Sequence, residues 1–227
     1  TGMHRICFAP EQVDKVLAQL HDIEQVVKPV NAFTHFAQAD ETAQRATTLA
    51  AIECFKQATA GKVKHTALCN SAGVLAYPEA HADYVRPGIM LYGITPFGEQ
   101  QGSDIGLRPA MDFTSSLIAV REHRAGEPVG YGANWVSARD TRIGVIAVGY
   151  GDGYPRMAPT GTPVLVNGRR VPLVGRVSMD MATVDLGPKG TEQVGDEVIL
   201  WGQGLAAEEV ARHVGTIAYE LVTRLTN

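Results

Sequence analysis

The pattern of the chain changes once, after Phe97, and that change limits it to two domains of different class. Before it, apolar residues at helical spacing alternate with short apolar runs. Val13, Val16, Leu17 and Leu20 follow Pro10 and predict an amphipathic helix from Pro10 to about Leu20. An extended run follows from Val26 to Phe36. Asp40-Glu41 stands where it can cap a second helix, which carries Ala46, Leu49, Ala50 and Phe55 and stops near Gly61. Lys64 to Leu68 reads as another short run, Pro78 opens a further short helix, and Gly88 to Tyr92 reads as one more buried strand. Helices alternating with short apolar strands imply parallel βα units.

Beyond Phe97 the stretch from Gly98 to Pro109, rich in Gly, Ser, Asp and Pro, reads as a linker. Strand signals then follow one another: Phe113 to Arg121, Arg142 to Gly149, Pro163 to Val166, Arg170 to Val174, Ala182 to Leu186 and Glu197 to Trp201. Asn167-Gly168 between two of them is a hairpin signal, because a type I′ turn needs positive φ at both central residues. Only Ala206 to His213 and Tyr219 to Leu225 read as helical. The expected fold class is α/β plus all-β: a partial α/β barrel over residues 1–105, then a mostly β domain over 106–227.

With 227 residues, 45% of them hydrophobic and 19% charged, the chain can bury a sizeable core and is not a disordered segment. Its net charge is −4 and the basic residues are scattered, so nucleic acid is not an expected partner; small molecules or protein subunits are. No apolar run approaches the roughly 18 residues that span a bilayer. Three irregularly spaced cysteines, Cys7, Cys54 and Cys69, fit reduced thiols in the cytoplasm, packed as small core hydrophobes. They and the seven histidines form no close ligand pair, so no metal is expected. Gly149-Tyr150-Gly151-Asp152-Gly153 has the look of a dinucleotide loop, but Tyr154-Pro155 stands where a helix should open.

Four motifs remain: Arg86-Pro87-Gly88-Ile89-Met90-Leu91-Tyr92-Gly93, Val129-Gly130-Tyr131-Gly132, Gly149-Tyr150-Gly151-Asp152-Gly153-Tyr154-Pro155-Arg156 and Gly175-Arg176-Val177-Ser178-Met179-Asp180-Met181. In this order they resemble alanine racemase, the pyridoxal 5'-phosphate enzyme that interconverts L- and D-alanine. The resemblance runs along the whole chain. It implies that residues 1–105 are part of a (β/α)8 TIM-type barrel that binds the cofactor. It also implies a cytoplasmic homodimer whose active sites are shared between subunits, making D-alanine for peptidoglycan. The family's Schiff-base lysine belongs to an N-terminal barrel strand, and no Lys-Ala-Asn-Ala-Tyr-Gly run occurs here. The chain is therefore expected to be the larger, C-terminal part of such a racemase, inactive by itself.

Racemisation on a Schiff base of pyridoxal phosphate needs one base on each face of Cα. The resemblance makes Tyr131 the base that one subunit lends to the other. It makes Arg86 the arginine facing the pyridine nitrogen, where an always-protonated guanidinium limits the ring as an electron sink. His35 falls beside the ring, and Ser71, Gly88 and Ile89 at the phosphate. Arg5 would help to hold the substrate carboxylate, and the backbone N–H of Met179 would reach the carboxylate in the partner subunit's active site. Asp40, Tyr150, Arg156, Arg176 and Asp180 would line the corridor through which substrate arrives. Ile6-Cys7 departs from a common Leu-Gly, and Asn227 falls near a phosphate-contacting tyrosine of the family. Two other functions stay open: a racemase of another small amino acid, and a non-catalytic pyridoxal-phosphate-binding fragment.

Overall fold

A computed structural model describes residues 2–226, so the expectations at Thr1 and Asn227 lie outside the described residues. The chain divides into two compact units, Thr1–Leu91 with Pro96–Glu99, and Tyr92–Thr95 with Gln100–Asn227.

In the first unit a 3-10 turn at Pro10–Gln12 leads into α1 (Val13–His21), followed by β1 (Ala32–Phe33), α2 (Arg45–Thr59), β2 (Thr66–Ala67) and α3 (Ser71–Ala76). β1 and β2 pair in parallel, Ala32 with Thr66 and Phe33 with Ala67, and Ala67 bridges in parallel to Tyr84. Three consecutive chain segments thus run side by side in one direction, as βα units require. Thr48, Ile52, Phe55 and Thr59 form one face of α2 and are buried. Ile52 and Phe55 join Phe36, Leu68, Ala72 and Tyr77 in a core, where Ile52, Phe55, Phe36 and Leu68 each contribute about 1.5–3 kcal/mol by leaving water. α1 has no buried residue. Its Val13, Val16, Leu17 and Leu20 line an open groove of about 490 Å³ with Phe8, Val30 and Phe33.

Several expectations need correction here. Gly88 to Tyr92 is not a buried strand: Ile89–Tyr92 is a 3-10 turn in which only Ile89 is buried. The N–H groups of Gly88 and Met90 both donate to Ser71 Oγ, and Leu91 N–H donates to Gly88 O, which leaves no ladder to join. α3 was not expected; Asn70 caps it by accepting from Gly73 N–H at 3.0 Å. Only Ala32–Phe33 of the run Val26 to Phe36 pairs as a strand. Glu41 precedes a 3-10 turn at Thr42–Gln44 that leads into α2, without a side-chain cap bond. Of the cysteines only Cys69 is buried, while Cys54 is half-buried and Cys7 exposed.

The second unit is mostly β. β3 (Phe113–His123), β6 (Thr141–Ile146), β7 (Pro163–Val166), β8 (Arg169–Val174), β9 (Ala182–Asp185) and β10 (Glu197–Trp201) close an antiparallel barrel in the order β10-β3-β6-β9-β8-β7. β4 (Pro128–Val129) and β5 (Trp135–Val136) form a separate short hairpin. Contact of β10 with β7, Val198 against Val166 and Ile199 against Leu165, completes the ring and removes both sheet edges. Leu117, Ile146, Val164, Leu173, Val184 and Leu200 are fully buried. At Asn167-Gly168 φ is 47° and 75°, the positive values of a I′ turn, and Val166 pairs with Arg169 across it. From Gln100 onward the expected linker belongs to this unit: the buried Glu208 carboxylate accepts from both Thr95 N–H and Gly102 N–H. Glu208 lies in α4 (Ala207–Val214), which ends at left-handed Gly215 before α5 (Ala218–Thr223). No helix among the described residues is long and apolar enough to cross a membrane.

Candidate active site

In the first unit the C-terminal ends of β1 and β2 converge on Arg86. Its Nη1 donates to Ala67 O at 2.8 Å, and its Nη2 donates to Thr34 O at 2.5 Å and Leu68 O at 3.3 Å. These bonds occupy the two Nη nitrogens and not Nε. The guanidinium lies 5.4 Å from the Phe33 ring centroid, and Arg86 N–H donates to Cys69 O, so head and backbone are both anchored. Burial lowers the Arg86 pKa, yet a guanidinium stays charged. His35, just past β1, has its pKa lowered by burial first and then by the positive charges of Arg5 and Arg86. A neutral imidazole is therefore favoured. Arg5 is exposed but close enough for that charge to act.

Ser71 is buried and heads α3. Its Oγ accepts from Gly88 N–H at 2.9 Å and from Met90 N–H at 3.3 Å, so its own O–H points to another acceptor. A Cβ at Gly88 would meet nothing closer than Ser71 Oγ at 3.9 Å. The set is a fixed guanidinium whose Nε–H has no hydrogen-bond partner among the described residues, a His ring whose protonation is disfavoured, and a hydroxyl donor beside an open glycine. It fits a flat heteroaromatic ring bearing a phosphate, as pyridoxal phosphate does. Asp40 lies exposed in the turn after Gln38, and no hydrogen bond among the described residues ties it to this group.

In the second unit two loops carry the remaining candidates. Gly149 N–H is held by Asp152 Oδ2 at 2.8 Å; Tyr150 N–H donates to Ser178 O at 3.0 Å, and Gly151 N–H to Met179 O at 2.7 Å. Ser178 N–H in turn donates to Met181 O at 2.8 Å. The lacing uses the Met179 carbonyl and not its N–H. It needs glycine at 149, where a Cβ would lie 2.3 Å from Met179 O. Tyr150, Met179 and Asp180 are thereby brought together, with Arg156 exposed at the end of the first loop and Arg176 at the start of the second.

Tyr131 sits on the loop joining β4 to β5 and is 72% exposed. Val129, Ile143 and Val174, with Trp135 packed on them, fix this hairpin to the barrel wall. Motif reading missed Asn134 on the same loop. One end of its amide faces only the donors of Arg176 and must be oxygen; the other faces Gly132 O and must be NH2. In that orientation Oδ1 accepts from Arg176 Nε at 2.7 Å and Nη2 at 2.9 Å, and Nδ2 donates to Gly132 O at 2.9 Å. Nothing in the local sequence signals this bridge. No group of three potential metal ligands occurs among the described residues.

Comparison with known proteins agrees over both units. The family described as "Alanine racemase, N-terminal domain" matches residues 1–96, and "Alanine racemase, C-terminal domain" matches residues 110–227. The alanine racemase of Aeromonas hydrophila is 58% identical over 227 residues, 100% of this chain and 63% of that protein. That of Pectobacterium atrosepticum is 57% identical over 226 residues, 100% of this chain and 62% of that protein. Among solved structures, the biosynthetic alanine racemase of Pseudomonas aeruginosa superposes with a TM-score of 0.91 at 48% identity, covering 99% of this chain and 62% of that one. The enzyme of Streptomyces coelicolor A3(2) gives 0.91 at 34%, covering 100% and 62%. The chain thus spans just under two thirds of the length of these relatives.

Proposed function

The chain belongs to the alanine racemase family, and from that premise we propose that it is part of an enzyme interconverting L- and D-alanine with pyridoxal 5'-phosphate. In this reading the first unit contributes part of a (β/α)8 barrel that binds the cofactor, and the second forms the C-terminal β domain. The intact enzyme is a cytoplasmic homodimer with shared active sites, and its product D-alanine serves peptidoglycan synthesis. The observation that carries the reading is Arg86, locked by three strand-end carbonyls with its Nε–H uncommitted.

Bound at this place, pyridoxal phosphate supplies an electron-withdrawing ring that acidifies the Cα proton of the attached amino acid. Arg86 would offer its Nε–H to the ring nitrogen and, being unable to deliver a proton there, would limit the ring as an electron sink. His35, its protonation disfavoured by burial and by Arg5 and Arg86, would stand beside the ring. Ser71 O–H and the Ile89 N–H would hold phosphate oxygens, and the Gly88 N–H would join them on leaving Ser71 Oγ, to which it donates here. Arg5 would orient the substrate carboxylate, with the N–H of the partner subunit's Met179 reaching it from the other chain. Tyr131 exchanges a proton with one face of Cα, and its exposure suits a residue offered to a partner subunit. Asp40 of one subunit, with Tyr150, Arg156, Arg176 and Asp180 of its partner, would line a polar corridor that disfavours larger amino acids. The lysine that serves the other face has no counterpart in these residues, so this chain alone is inactive.

The test is Tyr131→Phe in the full-length protein, with D-alanine formation from L-alanine as the readout and the cofactor absorption spectrum as a binding control. Loss of a general base lowers turnover by about 10²–10⁴-fold. The spectrum should not change. Wild-type rates in both directions would make Tyr131 a packing residue, and turnover by the 227-residue chain alone would refute its assigned incompleteness.

A further inference from the structure

We infer that Asn134 is a positioning residue for Tyr131, acting as a brace between the Tyr131 loop and Arg176. The inference rests on the reading that Tyr131 exchanges the substrate proton. Because Tyr131 is 72% exposed, packing does not fix its ring; the backbone of its loop does. That backbone is unusual, with φ of 73° at Gly130, 74° at Gly132 and 50° at Ala133. The left-handed region disfavours alanine, and such a residue keeps its place only where its surroundings over-determine it.

Few local contacts supply that determination. The hairpin pairs at only two positions, Pro128 with Val136 and Val129 with Trp135, and the bond from Ala133 N–H to Gly130 O is long at 3.3 Å. The Asn134 amide provides the rest. Its oxygen takes two donors of Arg176, and its NH2 holds the carbonyl of Gly132, the residue next to Tyr131. Arg176 follows β8, so the brace runs from the barrel wall through a guanidinium and an amide to the Tyr131 backbone. Space is matched to it: a Cβ at Gly132 would come within 3.0 Å of the Asn134 amide, and one at Gly130 within 3.6 Å of Arg176 N.

The chemistry demands an amide. A side chain here must accept from a guanidinium and donate to a carbonyl at once, and aspartate, though the same size, has no donor. Aspartate would also set a negative charge against Gly132 O and cancel the charge of Arg176. Among the described residues no ion pair engages Arg176, so with asparagine it keeps its full charge toward the carboxylate of an arriving amino acid.

Full-length Asn134→Ala, Asn134→Asp and Asn134→Gln decide the matter, with Tyr131→Phe alongside. Misplacing a reacting group by about 1 Å costs up to about 10²-fold; for a brace that water partly replaces, Asn134→Ala should lower kcat about tenfold. KM for alanine should change less than kcat. Glutamine, with both amide ends, should recover part of the loss, and aspartate should recover none. A role in packing alone predicts the reverse order, since aspartate is the isostere. Hydrogen exchange without substrate reads the brace directly: residues 130–134 should exchange about tenfold faster in the Ala and Asp variants, with β8 unchanged. Unchanged loop exchange, or aspartate outperforming glutamine, overturns the inference. If Tyr131→Phe is inactive while Asn134→Ala is fully active, the brace fails and the base assignment stands. If Tyr131→Phe is fully active, the base assignment fails, and the exchange data alone decide whether Asn134 braces the loop.

Discussion

Gly149→Ala should displace the Met179–Asp180 peptide, and the geometry sets how far. A Cβ at 149 would lie 2.3 Å from Met179 O, 2.4 Å from its carbonyl carbon and 2.5 Å from Asp180 N. Ordinary contact begins near 3.4 Å, so backbone must retreat by about 1 Å, and no flexible side chain can yield in its place. Overpacking of this kind costs about 1–3 kcal/mol. Bending the bond from Gly151 N–H to Met179 O, 2.7 Å long, removes about 1 kcal/mol more. A total of about 3 kcal/mol lowers the melting temperature of a unit this size by roughly 10 °C. The same displacement moves the Met179 N–H, so alanine turnover in the full-length protein should fall by up to about 10²-fold. Scanning calorimetry and steady-state rates measure both, with Gly98→Ala as control, where a Cβ meets nothing within 4 Å. Melting within about 1 °C of wild type, with unchanged turnover, would refute the reasoning.

The second unit was legible almost strand by strand, because hydrophobic period and turn chemistry act within a few residues. Pro163–Val166 and Glu197–Trp201 stand within their expected bounds, and Asn167-Gly168 makes the turn its residues dictate. Ring closure through β10 and β7 was not legible, since no local pattern says which strands meet. Gly88 to Tyr92 failed for a related reason. A short apolar run does not tell strand from turn, and what decided it was Ser71 Oγ, 17 residues upstream, taking the Gly88 N–H. Candidate residues inside motifs can be named from the sequence; Asn134 cannot, because its partner Arg176 lies on another loop and its amide reads locally as ordinary turn chemistry.

Two further outcomes follow from the first unit. Arg86→Lys should weaken cofactor binding and destabilise this unit, because one ammonium cannot span the carbonyls of Thr34, Ala67 and Leu68 that the guanidinium fork holds; Ala67 O keeps its bond from Thr34 N–H, while leaving Leu68 O unpaired costs about 1–3 kcal/mol, less where water reaches it. Cofactor titration by absorbance, with wild-type affinity as the refuting result, checks this. His35 gives a pH dependence whose sign is set by its lowered pKa. Burial and the charges of Arg5 and Arg86 disfavour its protonation in the folded state, so the unfolded chain binds the proton more readily. Above the unperturbed 6.5 the ring is neutral in both states and stability is complete; as pH falls through 6.5 stability declines, and it levels off below the folded pKa. His35→Gln should remove that loss while leaving the fall caused by carboxylate protonation at lower pH. Denaturant midpoints between pH 8 and pH 5 for both proteins measure the difference. Parallel curves through that window would mean that His35 titrates as an ordinary exposed histidine, and the electrostatic link between Arg5, His35 and Arg86 would fall with it.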